Sequence, residues 1–353
     1  MSLIDRRTLL IRSLQASGLV LAAPMLAACG SDDKKSTGGS GVAKGHGDVG
    51  LRLAWIKNVE FAGSYIADSK GYYKAEGFGS VNLITGGPTA TPAETDVVTG
   101  KAFAGLTSPD RAGQAIQQGA KIKIVATQYQ KNPFAITSMA KNPIKSAKDM
   151  VGKKIGVQAT NEPIWEAFLK ANNIDPKSVT KVPVQFDPLP LTTGTVDGWM
   201  SYITNEPNDL RLKGFQVETF LLADQGYPLV GESYIVTEDA LKKDRAKIKS
   251  LLRAEIKGWK DSVADPALGA KLAAETYGKG LGLKTEEQTL ESKDQNKLIL
   301  TDETKKNGLF TISPALVESN IKTLKFASVN VTAEQLFDLS IINEIYKEDP
   351  SLV

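Results

Sequence analysis

At 353 residues with 43 basic and 40 acidic side chains, the chain is long enough for two lobes around a large core, and it has no charge excess to draw a nucleic acid. Its one cysteine and one histidine exclude an intrachain disulfide, a Cys/His metal site and the histidine-dependent hydrolases. No cofactor and no metal is expected.

The first 28 residues read as a targeting segment, in which Arg6, Arg7 and Arg12 precede an apolar stretch from Leu14 to Ala28. That stretch contains Gly18 and Pro24 and falls short of the roughly 20 apolar residues a membrane span needs. Leu26-Ala27-Ala28-Cys29-Gly30 resembles a lipobox, so Cys29 is expected to become the acylated first residue, anchored at the outer face of the bacterial cell membrane or in the periplasm. Arg6-Arg7-Thr8-Leu9-Leu10 resembles a twin-arginine export signal, departing from it at Leu9 and after Leu10. Residues 29–48, which include the sole histidine His46, are rich in Gly, Ser, Lys and Asp and should form a solvated tether, with the folded body beginning near Val49.

From Leu51 onward, short apolar runs alternate with amphipathic stretches. They predict a strand Leu51–Trp55, a helix Ala62–Lys70, a strand Val81–Ile84, a helix Ala93–Thr99, a strand Phe103–Leu106, a helix Asp110–Gln118 and a strand Ile122–Thr127. This alternation predicts parallel βα units. Thr91-Pro92-Ala93-Glu94 reads as a capped helix start, and Ser108-Pro109 as another. After an apolar run Phe134–Met139, a second set follows: strand Lys154–Val157, helix Pro163–Ala171, strand Val182–Gln185, a helical turn near Leu189, strand Trp199–Ile203 and helix Asn208–Lys213. A strand Glu232–Val236 precedes a mostly helical remainder, in which the spacing of Ile248, Leu251, Leu252, Ile256, Trp259 and Val263 puts one apolar face on a helix Arg245–Asp265. The expected architecture is α/β with two lobes, one of residues 49–137 plus 232–353 and the other of 138–231. Two crossings between lobes make a hinge, and the ligand cleft should lie beyond the carboxyl ends of the strands.

Catalytic motifs are scarce. Gly45-His46-Gly47-Asp48-Val49-Gly50 matches a dinucleotide fingerprint, but it precedes the first strand where it would have to follow one. Asn330-Val331-Thr332 matches a glycosylation sequon and is read as a helix cap. The strand-end loops are more informative. Trp55, Asn58 and Phe61 follow the first strand, Gly87 and Thr89 the second, Ser108 and Asp110 the third, and Gln128 and Tyr129 close the fourth. Aromatic faces and amide groups suit a flat polar ring, and glycines let backbone N–H groups approach it. Phe61 fits the core as well, and each glycine fits an ordinary turn. A tetrapeptide occurs twice, Thr160-Asn161-Glu162-Pro163 and Thr204-Asn205-Glu206-Pro207, each after a strand of the second lobe. Both copies fit helix-start punctuation. Both also offer a recognition set, in which Asn donates and accepts and Glu accepts from amino groups. Trp165, Trp199 and Tyr202 are aromatic candidates nearby.

The run Leu51–Gly77, with Trp55, Asn58, Phe61-Ala62-Gly63 and Ser69-Lys70-Gly71-Tyr72-Tyr73-Lys74-Ala75-Glu76-Gly77, resembles the opening of the thiamine-pyrimidine-precursor binding family. These are type II periplasmic binding proteins related to sulfonate, taurine and nitrate receptors. Gly152-Lys153-Lys154-Ile155-Gly156-Val157, Gly194-Thr195-Val196-Asp197-Gly198 and the Asn205-Glu206 loop extend the resemblance over almost all of residues 50–325. It implies a monomeric substrate-binding component of an ABC importer, working with a permease and an ATPase, whose ligand loops are those at Trp55–Phe61, Gly86–Thr89, Ser108–Asp110, Gln128–Tyr129, Asn161–Glu162 and Asn205–Glu206. Fungal relatives that are pyrimidine synthases rely on a pocket histidine and a cysteine-rich segment, and this chain has neither. A pyrimidine thiamine precursor is the leading ligand, with riboflavin-like or sulfonate and nitrate ligands as alternatives. An enzyme using Glu162 and Glu206 as acid and base is the rival class.

Overall fold

The computed structural model describes residues 45–353. The leader over 1–28 with Arg6 and Arg7, the lipidation site Cys29 and the tether as far as Lys44 lie outside the described residues. The expected end of the tether at residue 48 is corrected. The first strand, β1, is Gly47–Arg52, while His46 reaches Ser250 Oγ at 3.0 Å and lies 5.1 Å from the Phe78 ring.

Nine further strands follow: β2 Phe78–Ile84, β3 Ala104–Thr107, β4 Ile122–Tyr129, β5 Phe134–Met139, β6 Lys154–Gln158, β7 Thr180–Val184, β8 Gly198–Tyr202, β9 Val217–Leu221 and β10 Gly231–Thr237. They form two five-stranded sheets, ordered β2-β1-β3-β10-β4 and β7-β6-β8-β5-β9. The burial of each strand follows its place. β3, β4 and β10 are buried along nearly their whole length, polar residues included, whereas the edge strand β2 alternates buried and exposed positions. β7 carries Pro183, which an edge strand tolerates because one row of its N–H groups needs no partner.

The expectation of purely parallel units is corrected at two strands. β10 runs antiparallel to both β3 and β4, and β5 runs antiparallel to both β8 and β9. The lobe boundaries move with them. The chain crosses through residues 130–133, so all of β5 belongs to the second sheet, and it returns through 222–230. Asn132 ties the two crossings together, since its side chain donates to the carbonyl of Tyr227 at 2.9 Å and its backbone N–H to that of Leu229 at 2.7 Å.

Helices cover the first sheet. Ala62–Ser69 packs on Arg245–Ala264 so closely that a Cβ on Gly258 would sit 2.1 Å from the carbonyl oxygen of Gly63. Trp259 is fully buried there, as its helical spacing predicted. Thr332 caps the helix Ala333–Leu336 with a reciprocal Gln335 bond. The capped start expected at Thr91–Glu94 is not made. The helix Ala93–Val98 starts from Pro92, which has no side-chain acceptor to cap it, and Glu94 accepts from the Thr107 hydroxyl. Ser108 likewise begins the helix Pro109–Gln117 without capping it through its side chain. The residues from Gly45 to Val353 form one compact unit, and a single apolar cluster joins Ile124, Leu324 and Val329 to Ile136, Phe168 and Met200 of the second sheet's side. No helix of the described residues is long and apolar enough to cross a membrane.

Candidate functional site: the cleft between the two sheets

A cavity of about 290 Å³ opens where the loops of both sheets meet. Parallel strands deliver their carboxyl ends to it: Arg52 to Trp55 from the end of β1, Gly87, Pro88, Ala90 and Thr91 after β2, Thr107 and Ser108 at the end of β3, Thr160 and Asn161 after β6, Phe186 after β7, and Tyr202, Asn205 and Glu206 from the end of β8. The antiparallel strands deliver their beginnings, Phe134 from β5 and Glu232 from β10.

Of the residues singled out in the sequence, Trp55, Gly87, Ser108, Asn161, Tyr202, Asn205 and Glu206 line this cavity together. Nine others do not. Phe61 is wholly buried in the core of the first sheet. Asn58 sits behind the wall and caps the turn Val59–Phe61, accepting from the Glu60 N–H at 3.2 Å. Gln128 is one layer deeper, donating to the Glu60 carbonyl at 3.0 Å, and Tyr129 spends its hydroxyl on Gln295 at 2.8 Å. Asp110 is buried in the first turn of its helix, and Thr89 stands outside the lining. Glu162 points away and pairs with Lys181. Trp165 and Trp199 are core residues.

The two tetrapeptides therefore contribute different members, Thr160 and Asn161 from the first and Asn205 and Glu206 from the second. Asn161 Nδ2 donates to Gln158 at 2.9 Å, and Glu206 accepts the Tyr202 N–H at 2.9 Å. Gly86 and Gly87 act partly within the protein. The Gly86 N–H donates to Trp55 at 2.8 Å, and any Cβ on Gly86 would lie 2.6 Å from the Leu53 oxygen, so this loop can only close with glycine there.

Sequence reasoning missed Arg52, Glu94, Phe134, Phe186 and Glu232 as lining residues, whereas Glu60 lies within the expected ligand loop Trp55–Phe61. Arg52 is buried against Asp96 at 3.0 Å. Aromatic rings pair at both ends of the cleft: Trp55 with Phe186 at 5.5 Å between centroids, across the two sheets, and Phe134 with Tyr202 at 4.8 Å, both edge-on. Burial lifts the Glu60 carboxyl to about 7 against the opposing effect of its hydrogen bond with Glu232, and burial also lifts Glu206 to about 7. Glu232 is raised well above the carboxylate range, by burial first and by the charge of Glu60 second. A larger open concavity of about 740 Å³, formed by residues 307–346, lies away from these strand ends and is lined largely by apolar side chains such as Ile312, Val317 and Ile321.

Residues 58–268 match the family described as NMT1/THI5 like. The chain is 31% identical over 223 residues to the riboflavin-binding protein RibY of Chloroflexus aurantiacus, a match spanning 62% of this chain and 63% of that protein's length. Its fold is shared with the periplasmic aliphatic sulphonate binding protein SsuA of Escherichia coli, at TM-score 0.62 and 16% identity over 82% of this chain and 92% of that one. The desulfurization enzyme DSZB has the fold too, at TM-score 0.55 and 12% identity over 85% of this chain and 99% of the other.

Proposed function

The chain belongs to the NMT1/THI5-like family, and from that premise we propose that it is the substrate-binding component of an ABC importer, capturing a small heteroaromatic molecule between its two sheets. The acidic and aromatic lining of the cavity carries this reading. Glu60, Glu94, Glu206 and Glu232 line it against Arg52, which Asp96 already holds, and Arg111. A sulfonate or nitrate would surrender its hydration for a wall whose one unclaimed cation among the described residues is Arg111, whereas a ring with N–H donors finds carboxyl oxygens and aromatic edges. The volume lies at the lower end of the roughly 300–1,000 Å³ typical of small-molecule sites, which suits one to three fused rings.

A pyrimidine thiamine precursor and a flavin share the relevant chemistry, a flat ring with an acceptor beside an N–H donor. The likeness to a riboflavin-binding protein supports the flavin. Capture is preferred to catalysis because Glu162, half of the acid–base pair expected for an enzyme, is turned to Lys181 and away from Glu206. Delivery to a permease driven by an ATPase, action as a monomer and anchoring through Cys29 belong to the same proposal. A thermal-shift titration with riboflavin, 4-aminopyrimidine, taurine and nitrate tests it. A heteroaromatic at 100 times its dissociation constant should add about 2.7 kcal/mol. Stabilisation by taurine or nitrate alone would overturn the reading.

A further inference from the structure

One carboxyl of the cavity wall is held in place by the protein and yet only half supplied with donors. Glu94 belongs to the first turn of the helix Ala93–Val98 and lines the cavity together with Thr107, the last residue of β3. The two are 6% and 4% exposed, and the Thr107 hydroxyl donates to Oε1 of Glu94. Oε2 has no partner among the described residues and, unlike Oε2 of Glu232, is not sealed in the interior. The cations nearby are engaged by Asp96, which pairs with Arg52 at 3.0 Å and with Lys101 at 3.3 Å. The backbone beneath Glu94 is fixed from two sides. Arg52 donates to the Thr91 carbonyl at 2.5 Å just before the helix. Gly105, two residues before Thr107 on the same face of β3, would bring a Cβ to 3.3 Å from that of Ala93, so its lack of a side chain lets the helix lie close on the strand. A buried carboxylate with one donor is short of partners. Glu255 shows the contrast, since its oxygens accept from Ser64, Tyr73 and Tyr234.

We propose that Glu94, oriented by Thr107, is a specificity-determining acceptor of the cleft, whose Oε2 takes the hydrogen bond of a ring N–H or an exocyclic amino group on the ligand. The Thr107 proton stays on the Thr107–Oε1 bond, and the lone pairs of Oε2 are left for the ligand. A carboxylate accepts and cannot donate, so a ligand that turns an anionic group or an alkylated nitrogen to this wall finds no partner there. Arg52 lines the same wall, but its bonds to Asp96 and Thr91 keep its charge off Glu94. Thr107 is a positioning residue, because its hydroxyl fixes the rotation of the carboxylate that meets the ligand. This rests on the heteroaromatic reading above and narrows it to rings that carry an N–H. A hydrogen bond to a charged group is worth about ten- to a hundredfold in affinity.

Calorimetric titration with two matched pairs of probes tests the proposal: riboflavin against its ring-N-methylated form, and 4-aminopyrimidine against its N,N-dimethyl form. The second member of each pair lacks the ring or amino N–H. The wild type should prefer the N–H member of a pair by about ten- to a hundredfold. In Glu94→Gln the amide oxygen takes the Thr107 hydroxyl and an N–H faces the cavity, so the N–H member should weaken by that factor while the methylated member is unchanged. Thr107→Val should lose part of the preference. Circular dichroism verifies the fold of each variant, and Thr107→Val carries the test should Glu94→Gln fail to fold, a full preference in it then being the overturning result. A wild type without preference, or a Glu94→Gln protein that keeps it, overturns this proposal while leaving the ligand class standing. A wild type that binds no member of either pair overturns the ligand class, and this proposal with it.

Discussion

Glu206 has two duties that pull on its protonation in opposite directions. It lines the cavity, where burial holds its carboxyl near 7, and it accepts the Tyr202 backbone N–H, which favours the charged form. Between about 4.5 and 7 the folded chain keeps a proton on Glu206 that the unfolded chain has released, so this residue's contribution to stability declines as the pH rises through that window. Glu206→Gln removes the titration. In denaturant unfolding at a series of pH values, the variant should gain on the wild type from pH 5 to pH 8, and a constant difference would refute the assignment. Residues such as Trp55, Asn161, Asn205 and Glu206 were legible in the sequence because they follow strands that run toward the cleft. Phe134 and Glu232 were not, since their strands are antiparallel and begin there. Glu94 imitated a capping residue, and only the approach of Thr107 shows where its carboxylate goes.

At the scale of elements, most helices and strands lay within a few residues of their expected places, because hydrophobic period and punctuation are local properties. The contact between Ala62–Ser69 and Arg245–Ala264 was not local. Gly63 and Gly258 are far apart in sequence, and each permits an approach that a single methyl group would block. Gly258→Ala should separate the helices and cost about 1–3 kcal/mol or more, because the Cβ meets backbone that cannot rotate away. Urea unfolding measures it, and a loss below about 0.5 kcal/mol, the range of an ordinary surface change, would show that the helices slide apart freely. The same helix buries Glu255, whose carboxylate accepts from Ser64, Tyr73 and Tyr234 and so joins three neighbouring elements. Burial raises its pKa, and its saturated donors make it a structural acid rather than a second site.

For the whole molecule, two five-stranded sheets joined by two crossings suggest independent lobes, but the apolar contacts do not stop at the boundary. One cluster spans both sides, and the helix Glu206–Leu212 is tied to Thr285–Ile299 by Asn208 donating to Asp294 at 2.8 Å. The body should therefore unfold in urea as one transition, with tryptophan fluorescence and far-ultraviolet circular dichroism coincident. Two separated transitions would show that the sheets are energetically independent.

The sequence by itself determined the α/β alternation, the near-neutral charge and the family resemblance, which need only the residues and their order along the chain. Tertiary structure decided the direction of β5 and β10, the residues at which the chain crosses between sheets, and the arrival of Glu60 and Glu232 at one cavity. Strand direction is set by which neighbour completes the hydrogen-bond ladder, and a carboxyl pair by which loops arrive at one place. Neither leaves a periodic trace in the order of residues.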